Sequence, residues 1–124
     1  MGHRRAVLRG LPLTEALLQS AVIEHLRAYG TPGWLWWHTP NAGKRHPITG
    51  SQLKRQGVVA GVGDLSLVDP TGRYHELELK TAAGRLSPAQ RERVDALKAH
   101  GVPAGVAYGL DAALGVLRAW GALR

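Results

Sequence analysis

The chain contains no cysteine and no phenylalanine, a single methionine, and only nine Asp and Glu against sixteen Lys and Arg in 124 residues. Without cysteine there is no disulfide framework, no thiolate metal site and no thiol nucleophile. No uninterrupted apolar stretch approaches the roughly 20 residues that a membrane helix needs. The opening residues, MGHRRAVLRGLPLTEALLQ, follow their charges with no continuous apolar run, so a secretory signal is not expected and a cytoplasmic setting is. What remains is 44% apolar with near-average charge content, which fits a soluble globular fold. Its length suits one domain with a core of its own.

The shortage of acids leaves a formal charge of +7. Such an excess favours a polyanionic partner through long-range attraction and counterion release, but says nothing of catalysis. Residues 1–12 read as a basic arm and residues 13–124 as the domain, with no internal repeat. A helix is expected after Thr14, its N-cap, ending at Gly30. WLWWHT (34–39) reads as a strand. Residues 40–57 form a polar, basic connection that is long for a compact domain and therefore a functional suspect. Strands over 64–68 and 73–81 are joined by the turn signal DPTG. SPAQ announces a second helix, with Ser87 as N-cap, Pro88 at the first position and Gln90 closing a capping box. An apolar strand over 102–109 follows, and Asp111 can cap a last helix. The order α-β-β-β-α-β-α predicts an α/β fold with a mixed central sheet flanked by helices.

The few acids are conspicuous because strands tend to avoid them, yet GVGDLSLVDPTGRYHELELK (61–80) carries Asp64, Glu76 and Glu78 in sheet-forming sequence. Alternation puts Tyr74, Glu76, Glu78 and Lys80 on one face, and His75, Leu77 and Leu79 on the other. Asp64 opens the neighbouring strand. Two carboxylates and an ammonium at this spacing suit a hard divalent cation; a solvated face with a cross-strand ion pair would look the same. On the first helix, Leu18, Val22, Leu26 and Tyr29 form an apolar stripe that includes Glu15 and Gln19, so Glu15 is expected to face the sheet. Glu15 is equally a first-turn acid favoured by the helix dipole. Gln90 aligns with Val94 and Leu97 and should also face the sheet, although its capping role already occupies it.

Taken in order, TEALLQSAVIEHLRAYG, GVGDL, HELELKTAAGRLSPAQ and GVAYG resemble the PD-(D/E)XK nuclease superfamily, most closely its VRR-NUC (virus-type replication-repair nuclease) branch, over roughly residues 13–118. The resemblance implies a restriction-endonuclease-like fold. It matches Glu15 to the family's helix acid, Asp64 to the Asp of the PD motif, and Glu78 and Lys80 to the acid and lysine of (D/E)XK. Gln90 matches the glutamine that closes the VRR-NUC signature. Catalytic roles follow for Glu15, Asp64, Glu78, Lys80 and Gln90, with Mg²⁺ or Mn²⁺ held by Asp64, Glu78, the Leu79 carbonyl and Glu15. Gly63 stands where the family usually has proline. Glu76 competes with Glu78, but the two-residue step to Lys80 favours Glu78 and leaves Glu76 a bystander. By analogy with short stand-alone members, the expected activity is a homodimeric Holliday-junction resolvase on branched DNA, in repair, in a bacterial or phage-infected cell. The alternatives are a nuclease of linear or nicked DNA and a non-catalytic DNA-binding module that keeps the fold.

Lys44, Arg45, Lys54 and Arg55, with Arg4, Arg5 and Arg9, are candidate phosphate contacts; a merely solvated loop is the other reading. Trp34, Trp36 and Trp37 can stack on unpaired bases, but alternation groups Trp34 with Trp36, which favours packing. His38, Asn41 and His46 match no trusted metal-nuclease spacing. His75 and His100 read as structural or surface residues.

Overall fold

The computed structural model describes residues 14–40 and 47–124. Its elements are α1 (Glu15–Tyr29), β1 (Leu35–His38), α2 (Pro47–Arg55), β2 (Leu65–Val68), β3 (Tyr74–Lys80), α3 (Pro88–Ala99), β4 (Ala104–Tyr108) and α4 (Leu110–Trp120). One element departs from expectation: α2 occupies the stretch read as an open connection. PITGSQLKR starts with proline, which suits a first helical turn, and ends on good helix formers; Thr49 and Gly50 disguise the pattern. Thr14 caps α1 as expected, its hydroxyl accepting the Leu17 N–H at 3.1 Å. Asp111 does not cap α4. Gly109 is the N-cap and makes no side-chain bond, while Asp111 lies in the first turn, where an acid complements the helix dipole.

The four strands form one sheet in the order β1-β2-β3-β4. β1 with β2 and β2 with β3 are antiparallel, and β3 with β4 is parallel across the α3 crossover. The β2–β3 turn is held by Asp69, whose Oδ1 accepts from the Thr71 hydroxyl and N–H and from the Arg73 N–H at 2.6–2.9 Å. The Thr71 side chain first, then the Arg73 N–H, holds this carboxyl below its usual range.

β3 is interior to the sheet and buried from His75 to Lys80. Its two faces differ in kind. Leu77 and Leu79 join Leu18, Val22 and Leu26 of α1 and Leu114 and Leu117 of α4 in the hydrophobic core. His75 closes that side between Trp34 and Trp120, with ring centroids 4.9 and 5.1 Å away. Trp34 and Trp36 pack against the same core, whereas Trp37 is exposed. The opposite face presents Glu76, Glu78 and Lys80, all buried, to α3. One layer is therefore oil and the other a charged interior, which is costly unless every charge there is matched.

Candidate active site

Asp64 sits just before β2, where the sheet hands the chain from a turn to a strand. Its backbone carbonyl accepts the Thr39 N–H at 2.8 Å and the His38 Nδ1–H at 2.9 Å. On the other side its carboxylate Oδ2 accepts the Leu79 N–H at 2.9 Å. β1 thus clamps the Asp64 main chain and β3 clamps its side chain. Extending the Leu65↔Leu77 register by one residue sets Asp64 opposite Glu78, not Glu76. The Leu79 carbonyl leaves its strand on the same edge as the Leu79 N–H, the edge that faces β2.

Glu78 Oε1 lies 3.7 Å from Lys80 Nζ, an ion pair beyond hydrogen-bonding distance, with both side chains buried. Gln90 Nε2 donates to the same Oε1 at 3.0 Å. The other end of the Gln90 amide accepts the Ser87 N–H at 2.9 Å, and the Ser87 hydroxyl accepts the Gln90 N–H at 3.1 Å. The capping box and the contact with Glu78 therefore coexist, because the two ends of one amide serve them separately. A Gln90→Glu variant would keep the cap but set an acid against Glu78, so thermal melting should show a larger loss than Ser87→Ala. That control removes the cap alone, at about 1 kcal/mol.

The structure brings together Asp64, Glu78, Leu79, Lys80 and Gln90. Glu15 stands apart from them: it is exposed in the first turn of α1, and among the described residues no side-chain hydrogen bond or ion pair joins it to the others. The stripe predicts direction, yet burial also needs a surface opposite, and both ends of the stripe (Glu15 and Tyr29) lack one. Gln19 lies further in: its Nε2 is the one buried side-chain N or O without a hydrogen-bond partner among the described residues. Lys54 and Arg55 are exposed on the last turn of α2. Arg4, Arg5, Arg9, Lys44 and Arg45 lie outside the described residues, as do Asn41 and His46.

Glu76 is no bystander. Its carboxylate receives Arg93 Nε at 3.1 Å, Arg93 Nη2 at 3.0 Å, the Tyr74 hydroxyl at 2.5 Å and the Gly63 N–H at 3.1 Å. Since Tyr74 spends its only proton on Glu76, Ser66 donates to Tyr74 at 2.9 Å, and Thr39 in turn donates to Ser66 at 3.4 Å. Burial pushes the Glu76 carboxyl upward, but the bonds from Arg93, Tyr74 and Gly63 outweigh it and hold the group below its ordinary range. The network's contribution to stability is accordingly full above the ordinary Glu pKa and is lost as pH falls through the lowered one. Burial first, then the bond to Glu76, raises the Tyr74 hydroxyl. Sequence reasoning missed Arg93, although it lies three residues after Gln90 and so on the same helix face. It also missed Tyr108, exposed beside Lys80 in the β3–β4 register.

Two antiparallel strand pairs, one parallel crossover and helices on both faces define the restriction-endonuclease-like class, with its acids and lysine on the interior strand. The chain belongs to the VRR-NUC domain family, whose model matches residues 13–111, and it therefore carries a nuclease domain. A solved structure described as a VRR_NUC domain protein superposes with a TM-score of 0.72 at 27% identity, covering 87% of this chain and 88% of that one. A second, described as a VRR_NUC domain, shares the fold with a TM-score of 0.57 at 16% identity, over 84% of this chain and 94% of that one. No curated protein matches the chain. Among the described residues, no helix is long and apolar enough to cross a membrane.

Proposed function

We propose that this protein is a divalent-metal-dependent DNA endonuclease that hydrolyses phosphodiester bonds in branched DNA, four-way junctions above all. The observation that carries the reading is the placement of Asp64, Glu78 and Lys80 on one sheet face, under Gln90, in a VRR-NUC chain. The restriction-type alternative, a nuclease of linear or nicked DNA, uses the same residues and differs only in substrate.

The donor set fits Mg²⁺ or Mn²⁺. Among the described residues no three His, Asp or Glu side chains group into a ready cage, and a small hard cation does not need one. Mg²⁺ commonly takes one or two carboxylates and leaves its other positions to water and substrate phosphate. Glu76 is matched by Arg93, so Asp64, bonded to the Leu79 N–H, and Glu78, beside Lys80, are the acids of this face that can offer oxygen ligands. Asp64, Glu78 and the Leu79 carbonyl would hold the ion, with Glu15 joining from the exposed end of α1. Bound there, it would polarise a phosphate oxygen and make water a better nucleophile. Lys80 would orient the attacking water and stabilise charge developing on the phosphate. Gln90 keeps Glu78 in place. A four-way junction needs two symmetric cuts, so the working unit would be a homodimer.

Gel assays on a four-way junction, a flap, a nicked duplex and a linear duplex, each with Mg²⁺, Mn²⁺ or EDTA, test this. Preferential metal-dependent cutting of the junction is expected. Equal cutting of all four would support the linear or nicked alternative, and no cutting of any would support a binding module. The basic residues would grip the phosphate backbone and set no sequence preference. Replacing Lys54 and Arg55 with alanine should lessen the slope of log affinity against log salt by roughly 2, about 0.9 per lost phosphate contact. The same treatment of Lys44 and Arg45 tests the adjoining segment, and an unchanged slope would remove those residues from the DNA path.

A further inference from the structure

We infer that Glu76 is a positioning residue for Asp64: it fixes the turn before β2 through the Gly63 amide and so aims the Asp64 carboxylate across the sheet. The inference rests on the nuclease reading for its purpose, but not for its geometry.

Glu76 is 2% exposed and receives four N–H or O–H groups. A buried ion pair is rarely the most stable way to fill an interior, since apolar side chains of similar volume often do as well or better. Arg93 keeps 26% of its side chain exposed, but Glu76 is buried, and a buried carboxylate calls for a role beyond holding α3 on the sheet. The Gly63 bond supplies one, because it reaches out of β3 into the residue immediately before Asp64.

Two features make that contact specific. Proline at 63 would have no N–H to give. Any other side chain would start with a Cβ only 2.9 Å from Glu76 Cγ and 3.1 Å from the Leu77 carbonyl oxygen. Residue 63 is thus a glycine because the Glu76 side chain lies where its Cβ would be. A second glycine completes the approach: Gly61, at φ +82°, passes so near the start of α3 that its Cβ would fall 2.4 Å from the Ala89 carbonyl oxygen. Held by Glu76 on one side and α3 on the other, the turn delivers Asp64 with its carbonyl on His38 and Thr39 and its carboxylate on the Leu79 N–H. The chain runs Arg93 and Tyr74 to Glu76, Glu76 to Gly63, and Gly63 to Asp64.

The Leu79 amide proton reports directly on where Asp64 points, with no metal or DNA present. Glu76→Gln and Gly63→Ala should each speed hydrogen exchange at Leu79 at least about tenfold, while Leu117 in α4 keeps its wild-type protection. Each should also weaken Mn²⁺ binding about tenfold, the scale of losing a residue that orients a ligand. Wild-type exchange at Leu79 and wild-type Mn²⁺ affinity in folded Glu76→Gln would overturn the inference. So would Leu79 and Leu117 loosening together, which would mark a general stabiliser. Should Glu76→Gln not fold, Gly63→Ala decides by the same two outcomes. A wild-type protein that binds no Mn²⁺ and cuts no DNA would sink the nuclease reading separately, because the Leu79 measurement stands without either.

Discussion

A Glu78→Ala protein should bind a labelled four-way junction as tightly as the wild type and cut it at least about a hundred times more slowly. Glu78 is the acid that Lys80 and Gln90 contact, in register with Asp64 just before β2. Glu76, the nearest acid on the same strand face, is already committed to Arg93, Tyr74 and Gly63. Lys80→Ala should give the same separation of binding from cutting, by a different route. It removes the ammonium 3.7 Å from Glu78 and leaves the carboxylates in place, so Mn²⁺ affinity should hold or rise while turnover falls. Retained cutting by Glu78→Ala, in a preparation free of contaminating nuclease, would place the reaction elsewhere on the molecule.

The second large effect is on stability. Leu77→Ala should cost about 3 kcal/mol and lower the melting temperature by roughly 10 °C. Leu77 is fully buried at the middle of β3, with β2 and β4 bonded on either side. Strands fixed by ladders on both edges cannot slide inward to fill the space, so most of the cavity would persist. Alternation aims Leu77 away from Glu76 and Glu78, so below its melting transition the variant should still cut DNA. Thermal denaturation followed by circular dichroism checks the first part, and a cleavage assay at low temperature the second. A loss below 1 kcal/mol would mean that the core around β3 is looser than its burial indicates.

Much of this was legible in the chain. β3 and α3 announce themselves through strict alternation and a capping box, both local properties that tertiary contacts had no cause to override. The site was legible where it follows from alternation: Glu78 and Lys80 share a face because they are two residues apart. The rest depends on what sits across from a residue. The period of α1 gave Leu18, Val22 and Leu26 their direction correctly, but Glu15 is exposed because the helix end outruns its cover. Helix α2 was hidden by Thr49 and Gly50. In sequence Gln90 faces a choice between capping α3 and touching the sheet, whereas in the fold its two amide ends do both. Spacing to Lys80 sets Glu76 aside, a sound rule for choosing the acid of the site but silent on Arg93, which arrives from another element. Gly63 looked like a local departure from a family pattern, and its reason lies thirteen residues further on.

Whether Asp64, Glu78 and Lys80 form a metal-dependent phosphodiesterase site is decided by a time course on a four-way junction. Wild-type protein and Asp64→Asn would be run side by side with Mg²⁺ and then with EDTA. The expected result is cutting by the wild type in Mg²⁺ alone, with none by the variant under either condition. Cutting that persists in EDTA, or in Asp64→Asn at the wild-type rate, would contradict it.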